Sequence, residues 1–182
     1  MAKPVKEIQY AQSLLDRSRG MLTRLHTSGA PPQAILRKST SNAYYAVFHC
    51  ITNGGAKVLH AHTKSRVFSA RAFFHNRIKD TFTKQLNDAI LPEKSKKTYR
   101  QYFRAESLPF VVRLSNVFVE LQMKRHQADY DFEVKYTKSD VINTLNDAQN
   151  AIKAYEDFYS QYPEDLKTMT SILLYEKISQ VL

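Results

Sequence analysis

The chain has 182 residues, 27 Lys and Arg against 17 Asp and Glu, 12% aromatic residues, and only 4 Gly and 6 Pro. That is the profile of one globular domain, long enough to bury a core without metal or disulfide support. A single cysteine, Cys50, excludes an intramolecular disulfide and a cysteine-based zinc cluster.

Met1–Gln12 lacks an apolar core followed by a small-residue cleavage site. No run approaches the roughly 18 apolar residues of a spanning helix. The expectation is a cytoplasmic chain. Charge is split: residues 1–113 carry 20 Lys and Arg against 6 Asp and Glu, and the remainder carries 7 against 11. So uneven a distribution points the first part of the chain toward a polyanion.

From Val5 to Leu25 the apolar residues Ile8, Ala11, Leu14, Leu15, Met21, Leu22 and Leu25 follow helical spacing, which predicts an amphipathic helix. A second helix is predicted from Gln33 to Asn53, with Gly54-Gly55 as its stop. Thr63–Leu91 reads as one cation-covered helix, with Phe73, Ile78 and Phe82 on its apolar side. The polar stretch between Leu91 and Pro109 reads as a loop, with room for one helical turn inside it. Phe110–Gln127 is helical, Asp129–Tyr136 is an extended connector, and Thr137–Asp140 offers N-cap residues for a helix carrying Val141, Leu145, Ala148 and Ile152. Pro163 opens a last helix reaching Val181. The expected fold is all-α: an antiparallel bundle of four to five helices over residues 1–162, with residues 163–182 as a terminal helix packing on the bundle or on a partner.

Two stretches carry a resemblance. Ser41-Asn42-Ala43-Tyr44-Tyr45-Ala46-Val47-Phe48-His49 in the second helix and Arg125-His126-Gln127-Ala128-Asp129-Tyr130 at the end of the fourth together resemble the paired signatures of HEPN domains (higher eukaryote and prokaryote nucleotide-binding). The resemblance spans roughly Ile8 to Tyr159. It implies a HEPN-like helical bundle, usually a homodimer. It also implies RNA binding or metal-independent endoribonuclease activity in toxin–antitoxin, abortive-infection or antiviral defence systems. Some such proteins are encoded beside a small nucleotidyltransferase.

Catalytic members of that family pair an arginine with a histidine, four to six residues lying between them, and the two copies face each other across the dimer. The arginine would stabilise phosphorane charge and the histidine would move protons. After Arg125 the corresponding positions are Tyr130, Asp131 and Phe132, so the histidine is missing. Arg125 and Asp129, like His126 and Tyr130, are four apart and share a helix face. Asn42, Tyr45 and His49 form a stripe on the second helix that could point at Arg125, with His49 standing in for the missing imidazole. Against these roles stand a buried tyrosine–histidine hydrogen-bond network and a structural Arg125–Asp129 ion pair. Arg19 and His26 also match the arginine–histidine spacing, but lie outside the family position.

A contact surface for single-stranded RNA is expected in Lys94, Lys96, Lys97, Arg100 and Arg104, interleaved with Tyr99, Tyr102 and Phe103. Cations neutralise phosphates there while rings stack on unpaired bases; the bland alternative is a solvated loop whose aromatics cover the bundle. His60, His62 and His75 have no carboxylate or cysteine nearby in sequence and read as surface histidines, not as a metal site. Arg71 and His75 fall at helical spacing on a cationic face, with no specific ligand expected. No cofactor or metal is expected. Glycine-rich phosphate loops, nucleophile elbows and zinc-peptidase motifs are absent from the sequence. Two functions stand. One is an RNA-binding protein, in its catalytic form an endoribonuclease. The other is a non-catalytic helical module pairing with a nucleotidyltransferase or effector protein.

Overall fold

A computed structural model describes residues 6–24, 32–60, 63–73, 75–90 and 99–175. These form seven α-helices and no strand: α1 (Lys6–Arg24), α2 (Gln33–Leu59), α3 (Thr63–Ala72), α4 (His75–Ile90), α5 (Leu108–Tyr130), α6 (Lys138–Gln161) and α7 (Pro163–Tyr175). A short 3-10 turn covers Tyr99–Tyr102. Among the described residues, no helix is long and apolar enough to cross a membrane.

The helices form where the apolar spacing requires. Ile8, Ala11, Leu15 and Leu22 put one face of α1 into the core, against α2. Contacts give the directions: Ser18 meets Asn42 and Tyr10 meets His49, so α1 and α2 are antiparallel. Ser41 meets Asp129 and Tyr45 meets Arg125, so α5 runs against α2. Phe110 stacks with Phe158 and Lys124 reaches Asp147, so α6 runs against α5. These four helices are an up-down-up-down bundle, and α4 lies antiparallel to α5 through Phe82–Phe118. The interior joins Tyr44, Phe82, Phe118, Leu145, Tyr155 and Phe158 with residues of α1 and α7.

Local signals place the ends. Pro109 sits in the first turn of α5, where its missing N–H costs nothing. Thr137 and Asp140 form a reciprocal capping box at the start of α6, as the sequence predicts. Pro163 begins α7, whose Leu166, Met169 and Leu173 are fully buried in the common core. The predicted extension of this helix toward Val181 lies outside the described residues.

Two expectations are corrected. Gly54-Gly55 does not end α2, which continues to Leu59. A β-carbon on Gly54 would sit 2.6 Å from the Tyr155 hydroxyl, and one on Gly55 would sit 2.7 Å from Thr170 Cγ2. The glycines are there for close approach of α6 and α7, not for a left-handed stop. Nor is Thr63–Leu91 one helix: the chain breaks between Ala72 and His75. Phe73 points into the core at the break, and the chain restarts as α4 along α5.

Candidate functional site

The face of α2 that meets the end of α5 carries Arg37, Ser41 and Tyr45, each one turn beyond the last. Arg37 Nη1 donates to the carbonyls of Gln127, Ala128 and Asp131, and Nη2 to Val134, at 2.5–3.4 Å. These are carbonyls of the last turn of α5 and the connector after it, where a cation is favoured; that of Gln127 also accepts from the Asp131 N–H. Ser41 Oγ donates to Asp129 at 2.5 Å. The helix therefore continues to Tyr130, with Asp131 as its cap, and holds the 125–130 segment in fixed register.

Arg125 sits inside this frame. Its Nη2 donates to the Tyr45 hydroxyl at 3.1 Å, and its Nε lies 2.7 Å from Asp129 Oδ2. That Nε contact is an ion pair without hydrogen-bond alignment. The guanidinium lies 5.7 Å from the Tyr45 ring and 5.4 Å from the Tyr130 ring, within cation–π range of both. Partial burial opposes its charge, but the Tyr45 hydrogen bond and the neighbouring Tyr45, Asp129 and Tyr130 groups outweigh this and raise its pKa. Arg125 is a fixed cation.

His75, the first residue of α4, completes the cluster. Its Nδ1 is 2.6 Å from the Tyr44 hydroxyl, and its ring stacks on Phe48 with centroids 3.9 Å apart. Burial, and then the charge of Arg125 and the proximity of His49, push its pKa below the ordinary imidazole value. It is neutral at pH 7. With either tautomer, Nδ1 is engaged by Tyr44. Nε2 is then left as an N–H donor if Tyr44 donates, or as a free lone pair if it accepts.

Between α4 and α5 lies an open groove of about 640 Å³, lined by His75, Asn76 and Lys79 on one side and Met123, Arg125 and His126 on the other. Its walls combine a fixed cation, a lysine, two imidazoles and the amides of Asn76, Gln122 and Gln127. Such a set recognises anions, and a phosphate group above all.

The predicted residues divide accordingly. Arg125, His126, Asp129, Tyr130 and Tyr45 are brought together. His49 is half-buried, 6.4 Å from the Tyr45 ring and 5.1 Å from Tyr10, and burial lowers its pKa. Asn42 turns away from Arg125: its amide donates to Ser18 on α1, at 3.0 Å in the buried interior. Arg104 Nε lies 3.3 Å from Asp165, and its guanidinium packs on Tyr162, fastening the turn before α5 to α7. Tyr102 is exposed and Phe103 is buried. Lys94, Lys96 and Lys97 lie outside the described residues, and for Tyr99 and Arg100 only the backbone turn is described.

Sequence reasoning missed His75 and Arg37. His75 is not a bare surface histidine. It is anchored beside Arg125, and Arg71 lies on a different helix from it. His60 also has a partner, with Nε2 2.7 Å from Ser69 Oγ.

Comparison with protein-family models, with curated proteins and with solved structures finds no match.

Proposed function

We propose that this chain is a HEPN-type RNA-binding protein and a metal-independent endoribonuclease of a toxin–antitoxin or antiviral defence system, acting at the α4–α5 groove. The observation that carries the proposal is the convergence of Arg125, His75 and His126 on that groove. His75 brings Arg125 an imidazole from a neighbouring helix, where Tyr130, Asp131 and Phe132 offer none. The charge split of residues 1–113 supplies long-range attraction for a polyanion.

The chemistry needs no metal. An RNA 2′-oxygen attacks the adjacent phosphorus, forming a P–O2′ bond while the P–O5′ bond breaks. The 2′ proton leaves to a base and a proton is delivered to O5′. Arg125 holds the non-bridging oxygens and stabilises the added charge of the phosphorane. His75 and His126, on opposite walls, are the two imidazoles for the proton transfers. The lowered pKa of His75 suits it to the base role at neutral pH. Asp129 and Tyr45 orient Arg125 and do not touch substrate.

Binding tests the anion site apart from the chemistry. Arg125→Ala should weaken affinity for a labelled RNA about tenfold or more and flatten its dependence on salt, as loss of a phosphate contact does. Arg125→Lys, which lacks the planar fork, should recover only part. Unchanged affinity and salt slope would remove Arg125 from the binding surface. A homodimer belongs to the same proposal, and sedimentation of the purified protein tests it.

A further inference from the structure

Large apolar side chains gather in the open at one end of α5. Met123 is 56% exposed, Tyr130 61% and Phe132 72%, the last being the most exposed large apolar side chain among the described residues. Met123, His126 and Tyr130 recur at helical spacing and share one exposed face. Phe132 follows in the turn just beyond the Asp131 cap. Exposed apolar side chains so grouped mark a contact surface.

The turn is held in place. Arg37 donates to the carbonyls of Asp131 and Val134, on either side of Phe132. Asp131 Oδ1 accepts from the Glu133 N–H at 3.1 Å, and the Phe132 ring lies 5.4 Å from the Arg37 guanidinium. An aromatic ring fixed in this way loses little freedom when a partner covers it. Asp131 and Glu133 flank it and are exposed, so the turn is an apolar knob between two carboxylates.

Its complement lies a few residues back along the same helix. The α4–α5 groove carries the cations Lys79 and Arg125 and the apolar Met123. Because Arg37 holds the turn, it does not fold over the groove of its own chain, and the fit is with another. A second copy supplies that fit twice. If two α5 helices run antiparallel about a two-fold axis near Gln127, Phe132 of each copy falls level with Met123 of the other, since the two lie about equally far from the axis. The exposed apolar residues of both copies are then covered, and the carboxylates of each turn meet the cations of the other groove. The net charge of +10 opposes approach only at long range, and physiological salt screens it beyond about 8 Å.

We infer that the Asp131-Phe132-Glu133 turn of each copy docks in the α4–α5 groove of a second copy, so that the dimer is the closed form of the site. This rests on the proposed homodimer and names its contact surface. Carboxylates and phosphates compete there for the same cations. A polyanion entering the groove therefore displaces the second copy, and each weakens the other's binding by the same factor.

Sedimentation equilibrium of the full chain at about 0.15 M salt tests the contact. Wild type should be a dimer. Phe132→Ala should weaken it about tenfold or more, the loss expected at a buried aromatic anchor. Glu133→Lys and Lys79→Glu should each weaken it as well, and an equimolar mixture of the two should recover dimers, because the mixed pair has one contact with both charges reversed and one native contact. A dimer left intact in all three variants would overturn the inference and leave the homodimer standing on another face. Weakening by both charge variants with no recovery on mixing would overturn it too. A wild type that stays monomeric would overturn the inference and the homodimer together. RNA added to the wild-type dimer should release monomers, and RNA bound to an intact dimer would overturn the closure. If monomeric Phe132→Ala, with its groove open, binds no RNA, the proposed RNA binding fails and the docked turn stands.

Discussion

The Tyr44 hydroxyl and His75 Nδ1 lie 2.6 Å apart although 31 positions separate them in sequence. Tyr44 is 1% exposed and belongs to the bundle core, with its ring beside Phe118. His75 faces the groove. The pair ties His75 to the buried core, which is how a short side chain at the start of a helix acquires a fixed direction.

Tyr44→Phe should therefore keep the core packed and free the imidazole. RNA cleavage should fall roughly tenfold or more, while RNA affinity should stay within about twofold, because Arg125 is untouched. Single-turnover cleavage beside equilibrium binding checks this split. An equal loss in both would mean that Tyr44 acts through the fold alone.

His49 and His75 both have pKa values lowered by burial. For a base, this means the unfolded chain binds protons that the native state refuses. Native stability linked to these groups is present above the unfolded value of about 6.5 and is lost as pH falls through the lower native values. Denaturation midpoints should decline below about pH 6.5, and the decline should flatten in His49→Gln. A midpoint independent of pH between 7 and 5 would contradict the lowering of these two pKa values.

Gly54 and Gly20 should respond in opposite directions to alanine. At Gly54 the new methyl would meet the buried Tyr155 ring at 2.6–2.9 Å, and overpacking of this kind costs about 1–3 kcal/mol. That exceeds the roughly 1 kcal/mol gained in helix propensity. At Gly20 nothing lies within 4 Å, so the propensity gain stands alone and Gly20→Ala should stabilise by about 0.5–1 kcal/mol. Urea unfolding of both variants measures the contrast.

Arg37→Ala should destabilise by about 2 kcal/mol, because the carbonyls that close α5 lose a charged donor. Arg37→Lys should recover less than half, since an ammonium cannot span the four carbonyls as the guanidinium fork does. Thermal or denaturant unfolding provides the check, and a variant as stable as wild type would show that water replaces the arginine without cost.

What could be read in the sequence was what one helix determines by itself. The apolar stripe of α1, the Thr137–Asp140 capping box and the Pro163 start each depend on neighbours within a turn or two. The α3–α4 break escaped because Phe73, Ile78 and Phe82 are all buried, so the apolar pattern runs through it. Gly54-Gly55 was misread because a helix stop and a close helix crossing call for the same residue. Tyr45 was placed correctly toward Arg125 from its spacing, yet Asn42 on the same stripe found Ser18, since helical periodicity does not say which neighbour each side of a face will meet. His75 and Arg37 could not be recognised at all from spacing. Their partners lie 31 and about 90 positions away, and single residues of these types are common on helix surfaces.

The most direct measurement of the central claim is cleavage of a single-stranded RNA in EDTA by wild type, Arg125→Ala and His75→Gln, each first shown to be folded by circular dichroism. The account predicts cutting by wild type that leaves a 2′,3′-cyclic phosphate, and a loss of about a hundredfold or more in both variants. Absence of cutting by wild type, or cutting by both variants at the wild-type rate, would contradict it.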